Sequence, residues 1–190
     1  MSRTYTATQY LSHFFRSKRW DSFHSPFLFS LFTYCFDDRI SHPLFENIEQ
    51  KRRDLRQSGD FIKRHDFGAG TSYQQLDKRD SISQIARHAL SLPFQCRFLY
   101  RLVFFSKSTQ IVELGTSLGI SAAYLAIGNP TSRVDTVEGN PEVANLAREV
   151  FDQLRLDNIY LHNMSFDTFI ANRLPEDRPI DLLFLDGHHT

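Results

Sequence analysis

The stretch that most constrains this chain runs from Gln110 to Gly119. Ile111, Val112 and Leu114 form a short apolar run around the acid Glu113, and Gly115 and Gly119 follow, four residues apart. Ile120, Ala123, Tyr124 and Ile127 then recur at helical spacing. A strand, a glycine turn and a helix in that order open a nucleotide-type βαβ unit. The glycine spacing is GxxxG, not the GxGxxG that seats a pyrophosphate on a helix N-terminus. A ligand without a diphosphate is therefore expected.

Past Gln110, short apolar strands alternate with helices, the signature of a parallel sheet. Strands are expected at 110–114, 133–137, 159–162 and 180–185. The helices between them fall at about 119–127, from Pro141 to Leu154, and around 166–172. Ligands of open parallel sheets lie beyond the carboxyl ends of the strands. Glu113, Gly115, Glu138, the turn 163–166 and Asp186 all fall on that edge. Glu138, 25 residues after Glu113, closes the second strand. A carboxylate there has two acceptor oxygens and no donor, which suits the paired hydroxyls of a ribose. At Gly115 the missing Cβ lets the backbone approach the ligand closely, where a Cβ would intrude.

The first 107 residues follow a different pattern. Thr6 to Arg19 carries Tyr10, Leu11, Phe14 and Phe15 on one face and ends in cations, as an amphipathic helix does. Ser25 and Pro26 open a second helix, a third begins near Pro43, and two more are separated by Pro93. No strand is expected in this half. Asp66-Phe67-Gly68-Ala69-Gly70 is a rival glycine-rich loop, but Lys63, Arg64 and His65 before it do not make a strand buried on both faces. Residues 66–71 are expected as a loop at a pocket mouth.

Charge is split between the halves. Residues 1–107 hold 17 Lys+Arg against 10 Asp+Glu, and residues 108–190 hold 5 against 12. Such asymmetry accompanies nucleic-acid or membrane contact, or two lobes that attract each other. The basic residues are scattered, which favours the lobes. Phe14, Arg16, Lys18, Trp20 and Phe23 can be drawn as an RNA-stacking face, yet a Phe-rich cap accounts for them without a ligand. Nucleic acid is not an expected partner. No run approaches the ~18 apolar residues of a membrane span, so no membrane association is expected. A secretion-signal core is also missing from the N-terminal residues. Cys35 and Cys96 have no metal or redox spacing, and buried thiols in a reducing, cytoplasmic compartment are expected.

Three motifs in order then carry a family resemblance. The loop 111–119, Val137-Glu138-Gly139-Asn140-Pro141 and the run from Asp181 to His189 (DLLFLDGHH) resemble motifs of the class I S-adenosylmethionine (SAM)-dependent methyltransferases. The nearest branch is the small-molecule O-methyltransferases. Phe23-His24-Ser25-Pro26-Phe27 and the loop 66–71 resemble a bacterial subgroup of that branch, typical of Bacteroidetes. The resemblance implies an α/β fold, with a helical cap over 1–107 and a Rossmann-like SAM-binding domain over 108–190. Its legible strands would lie in the order 3-2-1-4. The family sheet has seven strands and four are legible, so a domain incomplete at its C-terminus is expected.

The same resemblance implies SAM as cofactor, a small-molecule hydroxyl as acceptor, and a homodimer as an assembly to test. Glu113 would meet the methionine ammonium, directly or through water. Gly115, Thr116, Ser117 and Gly119 would present the amides that meet its carboxylate. Glu138 with Gly139 would hold the ribose, Ser165 and Phe166 the adenine, and Asp186 would border the cofactor. In metal-dependent members an Asp at this place helps bind a divalent cation such as Mg²⁺, which orients and acidifies the acceptor hydroxyl. Asp186 is thus also the candidate metal ligand. Asp186, His188 and His189 are the catalytic candidates, a histidine serving as general base. Two other readings stay open: an NAD-dependent Rossmann oxidoreductase, because Glu138 suits an NAD ribose equally, and a catalytically inactive methyltransferase-fold interaction module.

Overall fold

The computed structural model describes residues 25–63, 79–172 and 179–187. The expected helix over Thr6–Arg19, the loop 66–71 and the pair His188 and His189 lie outside them. The chain forms two units, Met1–Asp37 and Asp38–Thr190. In the first, helix α1 (Pro26–Cys35) starts as the sequence predicts: Pro26 stands in its first turn and Ser25 accepts a hydrogen bond from the Leu28 amide at 3.4 Å. Phe32 and Phe36 stack within this unit, with ring centroids 5.8 Å apart.

The second unit begins with helix α2 (Phe45–Gln57). Strands β1 (Phe61–Lys63) and β2 (Arg79–Ser81) then pair antiparallel. This corrects the expectation of a wholly helical N-terminal half. Each strand is three residues long, and only Ile62 of β1 is buried, so no alternation of useful length appears in the sequence. Helices α3 (Ile82–His88) and α4 (Pro93–Ser106) follow, with the expected break before Pro93.

The parallel sheet is built from β3 (Gln110–Leu114), β4 (Arg133–Glu138), β5 (Ile159–Asn163) and β6 (Leu182–Leu185). Helices α5 (Ile120–Gly128), α6 (Pro141–Leu154) and α7 (Phe166–Asn172) connect them. The spatial order is β5-β4-β3-β6, the 3-2-1-4 arrangement expected. Ile111 pairs in register with Val134 and Leu182, which puts all three on one face. There they pack with Leu99 and Val103 of α4 and Leu125 of α5. Helix α5 is buried along its whole length, as its near-absence of polar residues requires. On the opposite face Val112, Leu114 and Val137 pack on Phe169 of α7.

Asp135 lies on that second face, nearly enclosed. It accepts both forks of Arg133 at 2.8 Å and the side-chain NH2 of Gln110 at 3.0 Å, and it shares a hydrogen bond with His162 at 2.7 Å. Burial opposes its ionisation, but the bonds from His162 and Arg133 outweigh it and hold its pKa below the ordinary value. The sheet ends at β6, where Leu183 and Leu185 are 51% and 52% exposed.

Helix α6 has the clearest start signal. Asn140 accepts hydrogen bonds from the Glu142 amide at 2.9 Å and the Val143 amide at 3.4 Å, ahead of Pro141 in the first turn. The same two side chains grip β1: Asn140 donates to the Lys63 carbonyl, and Glu142 accepts the Lys63 amide at 2.6 Å. Asn140→Ala is expected to destabilise the protein by about 1–2 kcal/mol, read as a loss of several degrees in Tm. An unchanged melt would show the cap to be redundant.

Candidate functional site

The carboxyl ends of β3, β4 and β6 meet at the glycine bend. After Leu114 the chain turns at Gly115 (φ +111°), and the amides of Gly115 and Thr116 both donate to the Val137 carbonyl at 3.0 Å. This fixes the bend to the end of β4. On its other side the Asp186 amide donates to the Leu114 carbonyl at 3.0 Å. A methyl group at Gly115 would lie 2.7 Å from the Gly187 nitrogen and 2.8 Å from the carbonyl carbon and oxygen of Asp186. The space left by the missing side chain is therefore filled by the protein's own backbone. The expectation at Gly115 is close approach of a ligand; the group that fills the space is the chain's own backbone at the end of β6. Gly119 (φ +82°) precedes α5, and a methyl there would meet the Phe151 ring of α6 at 2.7 Å.

Glu138 joins the two turns. Its carboxylate accepts the Ser117 amide at 3.0 Å and the Asn140 amide at 2.9 Å. Ser117 takes a positive φ of 48° to present that amide. Burial raises the Glu138 pKa, while amides of Asn140, Ser117 and Gly139 work against the rise. Asn163, at the end of β5, donates to the carbonyls of Glu138 and Gly139 at 2.7 and 2.9 Å, so the end of β5 is tied to the same turn.

Glu113 is 0% exposed. One oxygen accepts the Thr136 hydroxyl at 2.5 Å, and Thr136 in turn meets the Thr116 hydroxyl at 2.6 Å. The other oxygen, Oε1, has no hydrogen-bond partner among the described residues. Burial pushes the Glu113 pKa up to about 7, and the nearby carboxylates of Asp186 and Glu138 add to the rise. The Thr136 hydrogen bond and the neighbouring Ser121 hydroxyl oppose it. An acid with a buried, unmatched oxygen is a costly arrangement.

Asp186 is exposed at the end of β6, and its Oδ2 accepts the Ser91 hydroxyl at 2.6 Å. Phe166 opens α7 and lies against Gly187, so the turn after β5 reaches the end of β6. Ser165 bonds the Thr168 amide at 3.2 Å and its hydroxyl at 2.8 Å, which occupies its side chain with the start of α7. The structure thus gathers Glu113, Gly115, Thr116, Ser117, Glu138 and Asp186 around one bend, with Phe166 beside Gly187. Thr116 is only 1% exposed and turns its hydroxyl inward. Ser91 is the residue sequence reasoning missed: it lies 95 positions from Asp186, with no motif around it. Among the described residues, no three His, Cys, Asp or Glu side chains are grouped to hold a metal ion.

The 3-2-1-4 parallel sheet, with an acid and a glycine bend on its central strand and an acid closing the next, is similar in fold to solved methyltransferases. More particularly, residues 112–190 match the family model described as a methyltransferase domain. The chain is 32% identical over 90 residues to protein-L-isoaspartate O-methyltransferase from Methanocella arvoryzae, a match that spans 47% of this chain and 48% of that one. Among solved structures, it is similar to the SAH-bound methyltransferase PaMTH1 of Podospora anserina, with a TM-score of 0.56 at 18% identity. That likeness covers 90% of this chain and 61% of that one. The O-methyltransferase of Bacillus cereus in complex with SAH gives a TM-score of 0.53 at 20% identity, over 83% of this chain and 63% of that one. The chain spans 40% and 48% of the length of two curated relatives it matches.

Proposed function

We propose that this protein is a SAM-dependent methyltransferase acting on a hydroxyl of a small molecule. The observation that carries the reading is Glu113, a wholly enclosed acid at the end of the central strand with one unmatched oxygen. A ligand ammonium supplies the donor and the opposite charge that this oxygen lacks. Glu138 stands on the same edge, and a carboxylate has about four acceptor positions. Amides from both adjoining turns use part of that capacity, and the rest suits ribose hydroxyls. Thr116, Ser117 and Gly119 line the bend on the side of the methionine carboxylate. Gly139, Ser165 and Phe166 border the adenine end.

The cofactor, when bound, supplies an electrophilic methyl group on a sulfonium. The protein's contribution is to hold donor and acceptor in line at near-attack distance. Asp186 and a histidine, His188 or His189, take the acceptor proton in this reading. A divalent cation at Asp186 is a finer part of the proposal, supported by that carboxylate's exposed place at the end of β6. Methyl transfer that is indifferent to chelator would remove it. Residues 108–190 act as the SAM-binding domain in this reading, and Ser91 of the helical region before it reaches Asp186. A second copy of the chain is a proposed partner, supported by the exposed leucines of β6 and checked by light scattering. The two free cysteines support a reducing, cytoplasmic setting.

The test is calorimetric. Glu138→Ala is expected to weaken SAM binding at least tenfold, from lost charge-assisted hydrogen bonds of ~1.5–3 kcal/mol. Binding that is unchanged in this variant, or absent from the unaltered protein, would count against the assignment.

A further inference from the structure

The bulkiest fully buried side chain among the described residues is a cation, Arg52, at 1% exposure. Removing a guanidinium from water is costly unless its donors are matched. Here they are. Nε donates to Glu49 Oε2 at 2.9 Å, one terminal nitrogen to the Ser91 carbonyl at 2.6 Å, and the other to Cys96 Sγ at 3.3 Å. Glu49 is held in turn by the Tyr124 hydroxyl at 2.9 Å. Burial keeps Cys96 a neutral thiol, with its pKa pushed up to about 11. Its Sγ–H points at the same Ser91 carbonyl, 3.6 Å away. The next residue is pinned too, its Leu92 amide donating to Gln95 at 2.8 Å. Residues 91 and 92 are thus fixed on the side away from the bend, and on the other side the Ser91 hydroxyl donates to Asp186 at 2.6 Å.

We propose that Arg52 is a positioning residue for the candidate site: by holding the Ser91 carbonyl it aims the Ser91 hydroxyl at Asp186 and fixes that carboxylate beside the glycine bend. The geometry explains why a guanidinium is used. Three donors diverge from one planar group to three partners, which a single ammonium on a flexible stem does not reproduce. A purely structural role, stapling α2 to the start of α4, would need the contacts to the Ser91 carbonyl and to Cys96 but not the hydroxyl link to Asp186.

The functional consequence rests on the methyltransferase reading, so the experiment has two arms. The first uses no ligand. The Asp186 carboxyl carbon resonance, followed in ¹³C-labelled protein, is expected to shift in Ser91→Ala and to shift the same way in Arg52→Lys. It should return toward its original place in Ser91→Thr, which restores the hydroxyl. The second arm titrates SAH (S-adenosylhomocysteine) by calorimetry. Ser91→Ala and Arg52→Lys are each expected to weaken binding about three- to tenfold, and the double variant no further than the worse single one. An Asp186 resonance blind to Arg52→Lys, or losses that simply multiply in the double variant, would overturn the proposal. If Arg52→Lys does not fold, Glu49→Gln loosens the guanidinium from its other side and is held to the same outcomes. Unaltered protein that ignores SAH would sink the methyltransferase reading, while the carboxyl resonance still decides the link.

Discussion

Gly115→Ala is expected to destabilise the protein by about 2–5 kcal/mol, and on the order of 10 °C in Tm, before any ligand is considered. Two penalties fall on one methyl group. The residue sits at φ +111°, a conformation that L side chains rarely adopt. The methyl would also press on backbone atoms of Asp186 and Gly187 at 2.7–2.8 Å. Backbone of a paired strand end cannot swing aside as a side chain can, so β6 must move away from β3 or the bend must reopen. Gly187→Ala is the contrast: there the obstacle is the Phe166 ring, which has rotamers to escape into, and the expected loss is smaller. A Gly115→Ala protein that melts within ~2 °C of the unaltered one would show that the bend and the end of β6 are not packed in this way.

The second large effect is a pH dependence carried by Glu113. Its folded pKa is about 7, raised from an ordinary 4.5 by burial and then by neighbouring acids. Between those values the folded protein holds a proton that the unfolded chain releases, so stability falls as pH rises through that window. Below about 4.5 both states are protonated and the penalty vanishes. Above about 7 it is fully present, and at ~1.4 kcal/mol per unit it approaches roughly 3 kcal/mol. Glu113→Gln is expected to remove the slope, so the variant should gain on the unaltered protein from pH 5 to pH 8 in denaturant unfolding. Parallel stability curves over that range would show that the carboxyl is ionised throughout. A ligand ammonium reverses the logic, because it stabilises the ionised acid. SAM affinity should therefore rise across neutral pH in the unaltered protein and stay flat in Glu113→Gln.

Much of this was legible in the residues, and for physical reasons. The central strand β3 shows as an apolar run because both of its faces meet other elements, and the glycines at 115 and 119 stand where side chains collide with neighbours. Pro141 and Asn140 announce α6 by local rules alone. Glu113 was half legible: its place at a strand end marked it as a candidate, but its complete enclosure depends on Thr136, Ser121 and the helices of that face. Parity held a clue, since Glu113 shares its sheet face with Ile111, which packs inward on α4 and α5. The β1–β2 pair was not legible, because three residues per strand give no period to detect. Nor was the Ser91–Asp186 contact, which is set by the docking of α4 and by a buried arginine 39 positions upstream of Ser91.

Glu138 has a consequence for ligand entry. A single carboxylate stitches the turn after β3 to the turn after β4 without any small molecule present. Both turns therefore hold their shape in advance, and an incoming molecule need not freeze two wandering loops. That saved disorder is affinity gained without an additional contact. It also means that weakening this stitch alters the empty protein as well as the loaded one. In Glu138→Ala, deuterium uptake at the Ser117 and Asn140 amides should quicken together, before anything is added to the tube.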